Sequence, residues 1–220
     1  MRTFTQYGVF ASVSKAFVLV LCLFGKPILA EPMRVLMLGD SLTQGYGLRE
    51  ADGLVPQLQA WLVAQGEEAE LINGGVSGDT TAGGLARVAW SLTPDIDAVV
   101  VALGGNDVLR GLAPEGSRAN IAGILDITTA RGLPVLVIGI KAPGNYGPQY
   151  KEAFDRIHPE LAKQHGALFV ESFFAAIEKE SPTALLGLLQ ADGLHPNPAG
   201  VARIVETLGP DMQRLIGRIQ

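Results

Sequence analysis

Asp97-Ala98-Val99-Val100-Val101-Ala102-Leu103-Gly104-Gly105-Asn106-Asp107 is the stretch that sets the fold class of this 220-residue chain. Residues 98–103 are apolar and largely β-branched, with no polar alternation. A strand without a polar face is covered on both faces, as strands are in a parallel sheet with helices above and below. The run ends on two glycines and two small polar residues, the composition of a turn leaving a strand. The same grammar recurs on either side. Residues 34–38 and 70–73 are shorter apolar runs that end on glycines. Residues 134–140 read as a further buried strand and residues 168–171 as a last short one.

Helical stretches lie between these runs. Residues 53–65 carry Leu54, Leu58, Trp61 and Leu62 at helical spacing. Residues 80–92 read as a helix capped by Asp79 or Thr80, with Gly83 and Gly84 as weak points. Residues 117–130 and 150–165 read as helices, the second kinked at Pro159. Residues 199–219 read as a closing helix that Pro210 interrupts. The order βαβαβαβαβα predicts an α/β fold with a parallel sheet, because parallel neighbours need crossover connections.

The first thirty residues stand apart from this pattern. They contain no Asp or Glu, carry Arg2 and Lys15, and include an unbroken apolar run over residues 16–24. Ala30 then precedes Glu31-Pro32. This is the pattern of a secretory signal cleaved after Ala30, leaving residues 31–220 as one domain. The apolar run is short for a membrane span, so no stable membrane insertion is expected after cleavage. Cleavage would remove Arg2, Lys15, Lys26 and the single cysteine, Cys22, leaving 14 basic against 22 acidic residues, a net charge of −8 in place of −5. An acidic domain is a poor match for nucleic acid. One cysteine permits neither an intrachain disulfide nor a cysteine-rich metal site.

In parallel sheets the working residues sit beyond the carboxyl ends of the strands. Strand one is followed by Gly39-Asp40-Ser41-Leu42, strand two by Gly74-Gly75-Val76-Ser77-Gly78-Asp79, and strand three by Gly104-Gly105-Asn106-Asp107. Near the C-terminus lies Asp192-Gly193-Leu194-His195-Pro196. His195 follows Asp192 by three residues, a spacing that lets a carboxylate orient an imidazole and leave its Nε2 free to take a proton. Ser41, at a strand-to-helix junction at the sheet edge, is the candidate nucleophile and needs such a base. Gly78 offers an unobstructed backbone N–H and Asn106 a side-chain N–H for an oxyanion.

Singly, Ser41 also fits a helix cap, Gly78 and Asn106 fit turns, and the Asp192–His195 segment fits a surface loop. Four such segments at one end of one sheet favour a site. Val76, Leu109, Leu112, Pro143 and Tyr146 lie in or beside these loops and are candidates to line an acyl groove. Arg110 is a candidate partner for a phosphate or carboxylate, or a solvated arginine. His158 and His165 read as packing or surface residues. The Gly-x-Ser-x-Gly elbow is absent around Ser41, as are the glycine-rich nucleotide motifs.

Together these residues resemble the SGNH hydrolases, or GDSL-type esterases. The four blocks of that family match Ser41 in Gly-Asp-Ser-Leu, Gly78 in Val-Ser-Gly-Asp, Asn106 in Gly-Gly-Asn-Asp and His195 in Asp-Gly-Leu-His-Pro, in the family's order. The segments around Asn73–Thr80, Leu103–Leu112 and Ala142–Gly147, and Tyr150–Phe154, resemble the bacterial periplasmic thioesterase/lysophospholipase/arylesterase branch. The resemblance implies a flavodoxin-like three-layer α/β/α sandwich with about five parallel strands. It implies a periplasmic or secreted serine hydrolase with a Ser41–His195–Asp192 triad and an oxyanion hole of Ser41, Gly78 and Asn106. No metal and no cofactor are expected. Small acyl esters or thioesters are the expected partners, and the chain is expected to be a monomer or weak oligomer. A carbohydrate-ester deacetylase on the same fold and a non-enzymatic binding module are the alternatives.

Overall fold

The computed structural model describes residues 1–3 and 32–219. The expected signal sequence and Cys22 therefore lie almost wholly outside the described residues. Five strands form where the apolar runs predict them: β1 (Met33–Gly39), β2 (Ala69–Gly75), β3 (Ala98–Ala102), β4 (Val135–Ile138) and β5 (Leu168–Val170). All pair in parallel in the order β2-β1-β3-β4-β5. The chain runs from β1 to one edge and then returns to the other side of β1. The strand order thus reverses between β1 and β3, and ligands of open α/β sheets bind at such a reversal. Gly39 is in register with Gly75 on one side and Ala102 on the other. The three glycine-rich loops consequently leave the sheet at one level.

Nine helices are described: α1 (Ser41–Gln44), α2 (Leu54–Ala64), α3 (Thr81–Ser91), α4 (Gly105–Leu109), α5 (Pro114–Ala130), α6 (Pro148–Asp155), α7 (Ile157–Gln164), α8 (Pro182–Leu186) and α9 (Pro198–Ile216). Helix α2 packs on α9, while α3 packs on α5 and α5 on α7, giving a helical layer on each face. Val35–Leu38, Val99–Val101 and Val135–Ile138 are all but fully buried between them. Residues masked from water on both faces have no use for polar alternation, which is why β3 shows none. No described helix is long and apolar enough to cross a membrane.

Three expectations need correction. The helix expected over 150–165 is two helices, broken at Arg156. Pro159 has no N–H to bond the carbonyl of Asp155, four residues back, so α6 ends there; Pro159 itself sits in the first turn of α7, where an N–H would be idle. The closing helix runs through Pro210 uninterrupted. Its apolar face, from Val201 and Ile204 to Met212 and Leu215, is buried on both sides of the proline. Tertiary burial outweighs the one lost backbone bond. Finally, Ser41, which a strand-to-helix junction at the sheet edge would leave exposed, is buried, at 8% of its full accessibility. It opens α1 at the end of an interior strand, with β2 and β3 flanking it.

Candidate active site

Asp40 caps α1, its Oδ1 accepting from the N–H of Leu42 at 3.0 Å. That cap fixes Ser41 as the first helical residue, directly beyond β1. The loop carrying His195 is held by local bonds instead. Asp192 Oδ1 accepts from the backbone N–H of Leu194 at 2.9 Å and of His195 at 3.0 Å. Its Oδ2 takes the Nδ1–H of His195 at 2.7 Å, and His195 Nε2 lies 2.9 Å from Ser41 Oγ. With Nδ1 donating, Nε2 is the acceptor for the serine proton. The bond from His195, reinforced by the two backbone N–H groups, holds the Asp192 carboxyl down at about 2. The Tyr46 ring packs against the imidazole, centroids 4.9 Å apart.

A residue the motif reading missed anchors this loop. Gln190 Nε2 donates to Tyr46 O at 2.9 Å and to Pro196 O at 3.0 Å, and the Gln190 N–H donates to His195 O at 2.7 Å. It staples the histidine loop to the loop after α1. No motif marks it, because both side-chain bonds go to backbone carbonyls that any residue supplies.

The candidate oxyanion donors come from three strand ends. Gly78 has φ +81, the left-handed region open to glycine. Among the described residues, neither its N–H nor that of Ser41 has a hydrogen-bond partner. Asn106 lies in the first turn of α4, and its Nδ2 donates to Asp40 Oδ2 at 3.3 Å. Burial pushes the Asp40 carboxyl up to about 6, against the opposing bonds from Leu42 and Asn106. Next door, Asp107 is buried and accepts from Thr81 N at 2.8 Å, Thr81 Oγ1 at 2.5 Å and Ser117 Oγ at 2.8 Å. His158 donates its Nε2–H to Leu103 O at 3.0 Å, and burial lowers its tendency to protonate. His165 contacts Leu161 O and Asp126. Both histidines are packing residues away from Ser41.

A cavity of about 280 Å³ opens over Ser41, lined by Asn106 and His195 at its polar end and by Leu42, Val108, Ile140 and Phe174 among its apolar walls. Of the five residues expected to line an acyl groove, Leu109, Pro143 and Tyr146 line this cavity and Val76 and Leu112 do not. Val76 extends the β1–β2 pairing by donating its N–H to Gly39 O. Leu112 follows Gly111, whose φ of +62 turns the chain, and its carbonyl accepts from Tyr150 Oη. Among the described residues Arg110 meets no carboxylate; its Nη2 donates to Gly78 O at 2.7 Å. Among the described residues no cluster of three or more His, Cys, Asp or Glu is arranged to hold a metal ion.

The GDSL-like Lipase/Acylhydrolase family profile matches residues 37–203. The chain is 39% identical to Esterase TesA of Pseudomonas aeruginosa, over 85% of this chain and 91% of that protein. It is 33% identical to the Thioesterase 1/protease 1/lysophospholipase L1 of Escherichia coli K12, over 83% of this chain and 84% of that one. Among solved structures, the crystal structure of TesA superposes with a TM-score of 0.76 at 38% identity, covering 83% of this chain and 99% of that chain.

Proposed function

The chain belongs to the GDSL-like lipase/acylhydrolase family, and from that premise we propose that it is a serine esterase cleaving carboxylic esters and thioesters of acyl substrates. The observation that carries the reading is the hydrogen-bonded chain Asp192–His195–Ser41 at the polar end of an apolar cavity. A serine hydroxyl is a weak nucleophile until a base takes its proton. In the proposed sequence His195 Nε2 accepts the proton of Ser41 Oγ as that oxygen attacks the acyl carbon. Asp192, ionised throughout the neutral range, stabilises the imidazolium and holds the tautomer.

Negative charge then develops on the carbonyl oxygen. The free N–H groups of Ser41 and Gly78 and the side-chain N–H of Asn106 are the proposed donors to it. The imidazolium protonates the leaving alcohol or thiol, which departs and leaves an acyl-serine. Water, deprotonated by the same imidazole, releases the acid. Every step is supplied by groups of this chain, so the proposal includes no metal and no cofactor. The apolar walls, Leu42, Val108, Leu109, Ile140 and Phe174, suit an acyl chain better than a sugar. Relatives named esterase and thioesterase support the same substrate class.

We further propose export: residues 1–30 act as a signal, and the mature protein begins at Glu31 in the periplasm or outside the cell. N-terminal sequencing of exported protein tests this, and a first residue other than Glu31 overturns the cleavage site. The activity is tested with p-nitrophenyl esters from acetyl to palmitoyl and one acyl-CoA, comparing the protein with its Ser41→Ala variant. Turnover that vanishes in the folded variant is expected. Turnover that survives it would remove Ser41 as nucleophile.

A further inference from the structure

The proposed oxyanion donors sit on three separate strand ends, yet they must hold a common geometry to within a fraction of an ångström for catalysis to benefit. The polar contacts behind them supply that geometry. We infer that Arg110 is a positioning residue that ties Gly78, through its carbonyl, to the helix carrying Asn106, so that the two donors act as one unit. This rests on the esterase reading above and extends it to residues that touch no substrate.

Arg110 closes α4, and its backbone N–H donates to the carbonyl of Asn106 at 3.1 Å. Its guanidinium reaches across to the carbonyl of Gly78 at 2.7 Å, its only side-chain hydrogen bond among the described residues. One residue therefore grips both donor-bearing segments. Deeper in the protein, Asp107 joins the same two segments through Thr81, three residues beyond Gly78. On the opposite flank, Arg87 pairs with Asp79 at 2.7 Å and donates to Gly39 O at 2.8 Å, tying the residue after Gly78 to the end of β1, two residues before Ser41. Glycine at 78 can adopt many backbone states, and its φ of +81 is one of them. The buried Asp107 and half-buried Arg87 contacts set where the turn lies. The exposed Arg110 contact holds the carbonyl side of Gly78 and so limits how its Cα, and the N–H on the other side of it, can turn. An arginine suits the task because it presents several rigidly spaced donors and stays charged at any working pH.

The obvious alternative role for Arg110 is to bind an anionic group of the substrate. The two roles differ in kinetics. Losing a group that binds substrate and transition state alike raises KM, whereas losing one that aligns transition-state donors lowers kcat.

The test compares the full chain with Arg110→Ala, Arg110→Lys, Asn106→Ala and the Arg110→Ala/Asn106→Ala double variant, on p-nitrophenyl butyrate and on an acyl-CoA. For Arg110→Ala, kcat is expected to fall about tenfold on both substrates, with KM within about twofold and the melting temperature unchanged. Arg110→Lys, which keeps a donor of shorter reach, is expected to recover part of the loss. In the Asn106→Ala background, removing Arg110 is expected to lower kcat by less than about threefold, because the geometry it enforces has lost one member. An unchanged kcat, a rise in KM confined to the acyl-CoA, or fully multiplicative losses in the double variant would each overturn the inference. A normal kcat in Asn106→Ala would remove Asn106 as a donor and the coupling with it. Ser41→Ala, run alongside, reports on the esterase reading independently of Arg110.

Discussion

The two sides of the candidate site are built by opposite means. On the sheet side, Asp40, Ser41 and Asn106 stand where β1 and β3 end in register, and the backbone ladder fixes them. Asp40 is buried there, with its carboxyl pushed up to about 6. On the loop side, Asp192 and His195 ride on irregular chain. Asp192 is exposed, accepts three hydrogen bonds, and has its carboxyl held down at about 2. The rigid scaffold tolerates a carboxylate in an unfavourable place, while the loop, lacking a scaffold, is organised by a carboxylate in a favourable one. Substituting the two aspartates should therefore have effects of different kind as well as different size.

The largest effect is expected at Asp192. Asp192→Asn leaves the loop its backbone acceptor but presents a donor or a neutral acceptor to His195 Nδ1, which releases the tautomer. In a serine protease triad that change lowers kcat by about 10⁴-fold, and a loss approaching that order is expected here with the fold retained. Because Asp192 ionises near pH 2, it contributes no inflection to a pH–rate profile between pH 4 and 9. A kcat within tenfold of the parent would make Asp192 a loop cap only, and the comparison would lose its loop-side half.

Asp40→Asn should be the next largest, and it should change stability in a pH-dependent way. An asparagine can accept from Leu42 or from Asn106 but not from both in the present geometry, so the Asn106 amide loses its orientation. A fall in kcat of between about tenfold and a hundredfold is expected. The folded-state value of Asp40 lies above the ordinary 3.8. Protonated Asp40 is thus favoured in the folded protein, and that contribution is complete below about pH 3.8 and lost as the pH rises through about 6. Two units correspond to about 3 kcal/mol at most. The variant, which does not titrate, should gain in melting temperature relative to the parent between pH 4 and pH 7.5. A difference independent of pH would mean that Asp40 carries no buried charge.

The same contrast explains what the sequence made legible. The strands were readable because burial on both faces erases polar alternation, and the site residues on the sheet side were readable because they directly follow those strands. Helix α4 was not: it begins at Gly105 and spans five residues, too short for any periodicity and headed by glycines that suggest a turn. The burial of Ser41 was hidden too, since it depends on β1 being an interior strand, a fact of strand order rather than of local sequence. On the loop side the Asp192–His195 spacing was visible, but Gln190 was not, because its partners are carbonyls. Phe174 and Ile140 reach the cavity from connections with no chemical signature.

Gln190 gives the third test. Gln190→Ala removes two side-chain bonds to carbonyls of Tyr46 and Pro196, each contributing about 1 kcal/mol. The histidine loop then moves more freely against α1. A loss of about fivefold in kcat/KM and a lower melting temperature are expected, with the pH–rate profile unaltered in shape. Asp192→Asn and Gln190→Ala together should lose less than the product of the two, since both hold the same imidazole. Independent losses would mean that Gln190 stabilises the fold without orienting His195.

The smallest effects concern the cavity walls, where sequence and structure partly disagreed. Leu109 lines the cavity and is 55% exposed, so it offers an acyl chain only part of its surface. At about 0.8 kcal/mol per buried methylene, Leu109→Ala should lower kcat/KM for an octanoyl ester by about threefold and leave the acetyl ester unaffected, because an acetyl group does not extend to that wall. Val76, equally apolar and 45% exposed, lies outside the cavity, and Val76→Ala should alter neither substrate by more than about 1.5-fold. Comparing the octanoyl-to-acetyl ratio in the two variants therefore separates the lining from the merely nearby. Equal shifts in both would mean that the acyl chain runs over the rim towards β2, and that the cavity over Ser41 is not the groove that selects it.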